Sequence, residues 1–592
     1  MLVPGGMRVV LIDANITVLC SSPNTPSSFI VFDLANNSYT DSVDVKVLPS
    51  HLSVAVTIWL SQQTVSLFVI RLRLFSTLPD QLTFASNISL LVSGASSVAF
   101  VGVLPPQETT NVNDSSVRIL SIGTSTCNDI VAVINESCRL NLTLVRSDIA
   151  PFPRYVSLIR RYEVEVFWAG LSMSFSRGTL VLMDTAIVLR ATTKGFAAIT
   201  SPRIVDLDVC MSNVTMVIDV TPGFAGQQVK VISCVCLSAT SNTVGVTALM
   251  RNISVLMEHV SVDSRLAVDG VISTTVTALI VSTEGGGSTN VVAILSHVHH
   301  SVSITGATLS SSSLTPLLNV VAFFATTTLL YLNGNLTDVT TRITNSHLVV
   351  TQWYMVPTGL ATQYSASTIA MVYTPGVVIS TTLEVQDSHI ILLGLDKGIG
   401  ATPSLSATTI ASGSWNGNSV AILTTFSQIA VFGLLPPLMA SFVRGIFGTT
   451  VAGNNTVATV DAPSLLDEVT IYFTNTSISS SNDDVTIELS DANLLISAFG
   501  LTSTSTRNGV MVVINNFSLL FVQRQLTDEA ALQSTTCQQA HAIVTTGSGF
   551  APIISVFGSC ALEANTWIVV KGARGIVGPI VASYSLARRR QC

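Results

Sequence analysis

The apolar positions recur in short runs broken by Ser, Thr, Asn or Gly, and many of the runs are rich in Val and Ile. β-Branched side chains are stiff at χ1 and fit a pleated surface. A membrane-spanning helix needs about 18 or more consecutive apolar residues. The nearest stretch, Val320 to Leu332, is too short and contains Thr326, Thr327 and Thr328. The pattern therefore predicts an almost all-β chain.

One unit repeats: an apolar residue, any residue, Asn or Asp, two residues, then an apolar residue. It occurs as Leu182/Asp184/Ile187, Met211/Asn213/Met216, Met250/Asn252/Val255, Ile343/Asn345/Leu348 and Val385/Asp387/Ile390. It recurs as Phe473/Asn475/Ile478, Leu489/Asp491/Leu494 and Ile514/Asn516/Leu519, with weaker relatives near Asn135, His299 and Ser427. The two apolar anchors are an odd number of positions apart. On one uninterrupted strand they would point to opposite faces. If both face one core, the chain turns between them, and Asn and Asp tolerate the left-handed backbone of such a corner. The unit reads as strand, corner, strand.

Repetition of this unit at variable intervals fits a stacked solenoid, whose insertions map to loops. A propeller would carry a recurrent blade signature, which is absent. The expected fold is an all-β, right-handed parallel β-helix. Residues 1–165 read as an N-terminal β-rich region of first coils with loop insertions. Residues 166–530 read as the β-helix, and 531–592 as a C-terminal β-rich cap with a basic tail. Loop inserts are expected at Leu104 to Asn113, Thr283 to Thr289, Thr402 to Ser414 and Leu434 to Leu438.

Composition sharpens this picture. The 592 residues are 48% hydrophobic and only 10% charged, and mean hydropathy is +0.59. A β-helix accounts for that hydropathy without a bilayer, because every coil buries an inward Val, Ile or Leu face while Ser and Thr replace charges outside. A transmembrane β-barrel would want about 10-residue strands with aromatic girdles, and aromatics are only 6% of the chain. Net charge is −7, which argues against a nucleic-acid partner. The one basic cluster, Arg588 to Arg590, reads as a solvated tail.

Nine cysteines are too few for a disulfide scaffold. Two pairs close in sequence, Cys127 with Cys138 and Cys537 with Cys560, are disulfide candidates if the chain is exported; buried free thiols are the other reading. N-glycosylation acceptors occur at Asn15, Asn36, Asn87, Asn113, Asn135, Asn141, Asn213, Asn252, Asn335, Asn454, Asn475 and Asn516. Chance would give roughly six or seven, so the excess favours a eukaryotic secretory route. The corner acceptors have a competing use as a buried ladder bonding neighbouring coils. The N-terminus lacks the form of a signal peptide, since Val9 to Ile12 is cut short by Asp13. The expectation is a cell-surface or secreted protein that starts inside a folded domain, and a cytoplasmic one if the chain is complete at Met1.

Units such as Asn252-Ile-Ser-Val-Leu-Met-Glu-His-Val-Ser-Val-Asp-Ser264 and Thr341-Arg-Ile-Thr-Asn-Ser-His-Leu-Val-Val350 give residues 170–525 a recognisable texture. It resembles the large kinetoplastid surface proteins of the dispersed gene family type, described as membrane-associated, and any pectin-lyase-like β-helix shares it. The resemblance implies a cell-surface β-helix, with membrane association only through a segment or partner outside this chain. Its partners would be host or neighbouring-cell surface glycans or proteins.

Parallel β-helices often carry polysaccharide lyases and hydrolases, so catalytic groups bear on the reading. Glycoside hydrolysis wants two carboxylates on one cleft. Asp467-Glu468 and Asp528-Glu529 read as helical or turn residues, and Asp483-Asp484 as a solvated turn. Neither Gly-His-Gly nor Arg-x-Lys is present, and Lys397, Arg444, Lys571 and Arg574 have no acidic calcium cluster beside them. His297 and His299 would share a strand face, but no local carboxylate or Cys completes a metal site. Glu284 to Thr289 lacks the Lys and helix of a phosphate cradle. The expectation is no catalytic residue, no metal and no cofactor. An adhesive, coat or interaction role leads; a polysaccharide lyase or hydrolase with an unrecognised site, or a structural fragment of a longer membrane-anchored protein, are the alternatives.

Overall fold

A computed structural model describes residues 6–22, 27–35, 39–58, 65–73, 83–104, 115–146, 162–170, 174–190, 197–220, 231–240, 247–268, 272–306, 323–353, 367–375 and 378–395, and beyond these the strands between Ser404 and Gly578, there mostly as backbone. The described elements are all strands, and every described pairing register is parallel. The chain is a parallel β-helix in two units, Met1–Gly270 with Val276–His300, and Val271–Thr275 with Ser301–Cys592.

In the first unit the opening coil is β1 (Met7–Ile12), β2 (Asn15–Ser22) and β3 (Ser27–Ala35). The next is β4 (Tyr39–Leu48), β5 (His51–Ile58) and β6 (Val65–Arg73). Then come β7 (Phe84–Val92), β8 (Ser97–Leu104) and β9 (Ser115–Gly123), followed by β10 (Thr126–Ile134), β11 (Arg139–Arg146) and β12 (Tyr162–Gly170). Each strand pairs with its counterpart one coil on, which gives three columns. In later coils the first two strands run through their corner as one: β13 (Ser174–Arg190) precedes β14 (Ala197–Thr200), and β15 (Arg203–Val220) precedes β16 (Val231–Thr240). They are followed by β17 (Leu249–Val268) and β18 (Ile272–Ser296). One inward position returns at Val9, Val45, Leu90, Ala132, Leu180, Val209, Val255 and Ala293, so coils are 29 to 48 residues long.

The corners are where the sequence pattern put them. Asp184, Asn213, Asn252, Asn345 and Asp387 all have φ between 47° and 54°. Both anchors of each unit are buried: Leu182 and Ile187, Met211 and Met216, Met250 and Val255, Ile343 and Leu348, Val385 and Ile390. The corners near Asn475, Asp491 and Asn516 lie outside the described residues. The left-handed residues also come in pairs seven positions apart, as with Arg177 and Asp184, Asp206 and Asn213, Asn252 and His259, Asn290 and His297, Asp338 and Asn345, and Ser380 and Asp387. Six extended residues between the members of a pair send three side chains inward. After Asp206 these are Leu207, Val209 and Met211, at most 2% exposed.

In the second unit parallel strands stack coil on coil from Phe323–Thr344 to Trp567–Lys571. The coils begin at β1. Strands Ile554–Phe557, Trp567–Lys571 and Arg574–Gly578 pair in parallel onto earlier strands. Two of the expected loop inserts differ from expectation. Thr283 to Thr289 is a corner inside β18, not a loop insert. Gly285 takes φ +71°, and a Cβ on Gly286 would lie 1.7 Å from the Ala248 carbonyl oxygen. Ser404–Ser412 is a strand where a loop was expected. Residues 105–113 and 435–438 lie outside the described residues.

Candidate functional site

Among the described residues a charged cluster lies in the third column. Glu163 and Glu165 share the face of β12 opposite buried Val164. Both reach Arg118 of β9: Arg118 Nε donates to Glu165 Oε2 at 2.6 Å, and Nη2 to Glu163 Oε2. Arg118 Nη1 donates to Ser121 Oγ at 3.4 Å, and its guanidinium carbon lies 4.2 Å from the Trp168 ring centre. The register that pairs Arg118 with Glu165, and Ser121 with Trp168, assembles the group. Glu165 is fully buried, the Arg118 side chain is 7% exposed and that of Glu163 19%. One coil back, Arg71 pairs with Asp33 and lies over Phe68. The two carboxylates converge as a glycosidase pair would. The guanidinium, however, already engages Oε2 of each carboxylate.

The second feature is an exposed ladder along the corners. Asn213 Nδ2 donates to Asp184 Oδ1 at 2.6 Å, Asn252 Nδ2 to Asp206 Oδ1 at 2.7 Å, and Asn290 Nδ2 to Asn252 Oδ1 at 2.8 Å. Asn87 Nδ2 donates to Asp41 Oδ1 at 2.6 Å. Arg177 grips Asp129 through two bonds of 2.6 and 2.7 Å. Hydrogen bonding from Arg177 holds the Asp129 carboxyl below its usual range. The ladder was expected to be buried, and it is on the surface, because a left-handed corner turns its side chain away from the core. A glycan bonded to Nδ2 would leave that nitrogen one N–H, so ladder and glycan do not exclude each other.

A buried row sits one residue past the second corner. The Ala14 N–H donates to Ser50 Oγ at 3.1 Å, and the Ser50 N–H to Ser96 Oγ at 3.2 Å. In the second unit the Ser346 N–H donates to Ser388 Oγ, and the Ser388 N–H to Ser427 Oγ, at 3.2 and 3.3 Å. Cys138 takes this place one coil after Ser96, and its thiol donates to the Asn135 carbonyl at 2.9 Å.

Cys127 and Cys138 are free thiols, which corrects the first disulfide candidate. Strand β10 separates them and carries the chain roughly 23 Å from Cys127 to Ile134, whereas a disulfide needs Cα atoms within about 7 Å. Burial pushes both thiols up to about 11, and Cys234 higher still. Cys537 and Cys560 lie outside the described residues.

Of the glycosylation candidates, Asn15, Asn87, Asn141, Asn213 and Asn335 are exposed, and Asn135 and Asn252 half-buried. Asn36, Asn113, Asn454, Asn475 and Asn516 lie outside the described residues. His297 and His299 are both exposed, but a corner at His297 puts them on different segments, and His297 stacks on His259 with ring centres 4.5 Å apart. His300 is buried and meets Ser264 Oγ at 3.1 Å. Asp467-Glu468 lies within strand Ser464–Thr474, not in a helix or turn.

No protein-family model, curated protein or solved structure matches the chain. Function therefore has to be argued from its own residues. The sequence reading missed the Arg118 cluster because its members are 45 and 47 residues apart. It also missed the buried row. The available signal was a Ser after the corner residue in Pro49-Ser50, Asn345-Ser346, Asp387-Ser388 and Phe426-Ser427. Among the described residues no group of three or more His, Cys, Asp or Glu is placed to hold a metal ion, and no helix is long and apolar enough to cross a membrane.

Proposed function

We propose that the chain is a non-catalytic, cell-surface or secreted interaction protein with an adhesive or coat role. The observation that carries this reading is the exposed corner ladder. It presents amide, carboxylate and guanidinium groups at one strand spacing, about 4.8 Å, along successive coils. Such an array suits repeated weak contacts with glycans or proteins of a host or neighbouring cell, where many modest contacts sum by multivalency. The sequon excess and the resemblance to kinetoplastid surface proteins support the compartment.

The test pairs two measurements on native material. Glycopeptide mass spectrometry is expected to find occupied sequons at exposed sites such as Asn87, Asn141 and Asn213; twelve unmodified sequons would overturn the surface reading. Binding of the labelled chain to intact cells is expected to fall when Asn87, Asn213 and Asn290 are each changed to Ser. Unchanged binding would overturn the role of the ladder.

One observation favours a second reading, a polysaccharide lyase or hydrolase: Glu163 and Glu165 converge on Arg118. Reducing-end or unsaturated-product assays on a polysaccharide panel, with Glu163→Gln as control, test it. Turnover abolished by that substitution would establish it, and silence across the panel would remove it.

A further inference from the structure

Two imidazoles from successive coils meet on the surface of the first unit. His259 lies in β17, and His297 directly follows β18. Both hold left-handed backbone, with φ 52° and 54°. The register pairs Glu258 with Ser296, so the next residue of each coil falls at the same corner. Such a corner turns its side chain away from the core, and both rings are exposed. Their centres lie 4.5 Å apart and their planes are inclined by 28°. One coil earlier Asn213 stands at this corner, and its amide bonds Asp184 at 2.6 Å. The corner column therefore joins coils by a hydrogen bond at Asn213 and by two stacked imidazoles at His259.

The pair has the spacing and the orientation of metal ligands. A metal bound to imidazole nitrogens at about 2.0–2.1 Å holds two of them about 3 Å apart in tetrahedral or square-planar geometry. The stacked coils already bring the ring centres to 4.5 Å. Rotation of two exposed side chains closes the rest, with no movement of the backbone. Orientation comes from Ser296, whose Oγ lies 2.9 Å from His297 Nδ1. With Nδ1 donating to that hydroxyl, the lone pair sits on Nε2. Metal-bound histidines are fixed in this way, by a partner on the other ring nitrogen. Glu258, next to His259, is exposed and adds negative charge beside the pair.

We propose that His259 and His297 form a surface site for a late first-row divalent metal ion, held by two imidazole nitrogens and water. Imidazole suits copper, zinc and nickel, and affinity along the series peaks at Cu²⁺. Calcium and magnesium prefer oxygen ligands and do not compete here. The site uses two protein ligands, so it does not require the larger group of His, Cys, Asp or Glu that is absent among the described residues. Its ligands come from different coils, so the bound ion clips the corner of β17 to the corner after β18. The second unit has another stacked pair, His347 and His389, with ring centres 5.0 Å apart and planes inclined by 14°. Those rings are half-buried and have less room to turn, which makes them the comparison.

Pulsed EPR of the full 592-residue chain with one equivalent of Cu²⁺ tests this. Couplings from two imidazoles are expected in the wild-type chain. His297→Asn and His259→Gln are each expected to leave one imidazole and to weaken Cu²⁺ binding at least tenfold. Asn already stands at this corner as Asn213, so His297→Asn keeps the fold, which circular dichroism checks. His347→Gln is expected to change neither the spectrum nor the affinity. Hydrogen exchange at Val260 and Val298 should slow on addition of Cu²⁺ in the wild-type chain and not in His297→Asn. A single-imidazole spectrum in the wild-type chain would overturn the proposal. So would two imidazoles that survive both corner substitutions, a spectrum lost in His347→Gln, or exchange that Cu²⁺ leaves unchanged. The site does not rest on the adhesive role, and none of these results bears on cell binding.

Discussion

Replacing Arg118 with Ala tests how far the third column depends on its charged cluster. Glu165 is fully buried and takes its charged partner from Arg118 at 2.6 Å. Removing one member of a buried pair leaves an uncompensated charge and costs about 3–5 kcal/mol. Loss of the contact with Trp168 adds to this, in a range of about 0.5–2 kcal/mol for cation–π pairs. Glu163 is part-exposed and can turn to water, so it contributes little. The expected loss for Arg118→Ala is therefore about 4 kcal/mol or more. Glu165→Gln keeps the shape and an acceptor, and should cost less, about 1–3 kcal/mol. The double change Arg118→Met with Glu165→Leu removes both charges, and should recover most of what the single change loses.

A long solenoid does not unfold as one two-state unit, because each coil contacts only its neighbours. Global melting would blur the effect. Native-state hydrogen exchange on the amides of β9 and β12 reads it locally. Two results would refute the reasoning: a loss of opening free energy below about 1 kcal/mol in Arg118→Ala, within the range of surface pairs, or a double variant no better protected than the single one.

Three further outcomes are expected. Gly286→Ala should break the corner inside β18, since its Cβ would strike the Ala248 carbonyl, whereas Gly285→Asn should be tolerated because Asn accepts φ +71° and no atom lies within 4 Å; protease resistance around residue 248 distinguishes them. With Cys127 and Cys138 raised to about 11, both should stay protonated at pH 8 and resist iodoacetamide until denaturant is added, while half-exposed Cys20 reacts first. Intact mass of the denatured, unreduced chain checks that no 127–138 bond is present. The Asp129 carboxyl is lowered by Arg177, so its support for the corner is complete above the ordinary carboxylate value, about 3.9. That support is lost as pH falls through the lower, folded value. Exchange at the Arg177 corner should therefore quicken as pH falls below about 4 in the native chain, and be pH-independent there in Asp129→Asn, apart from the intrinsic rate.

The corners were legible because αL backbone selects residues locally. Asp184, Asn213 and Asn252 tolerate it through their own side chains, so sequence records the geometry. Arg177, Ser42, Ser380, His259 and Phe426 adopt the same conformation without that preference. There the stacked coils impose the backbone, and no single residue betrays it. The seven-residue interval was the stronger signal, since it is fixed by six extended residues with three inward side chains whatever stands at the corner. Applied from Asn213 back to Asp206, or from Asn252 on to His259, it yields the second corner and hence the coil. The glycine run Gly285 to Gly287 misled for the opposite reason. Glu284 to Thr289 looks like a flexible loop because glycine is read as freedom, whereas Gly286 is present because the Ala248 carbonyl leaves room for nothing larger. The charged cluster stayed hidden because solenoid contacts join residues about one coil apart. Arg118 meets Glu165 only once the register is known, and register follows from corners. A chain of this kind thus encodes its frame locally and its polar chemistry one coil away, so the first can be read directly and the second only through it.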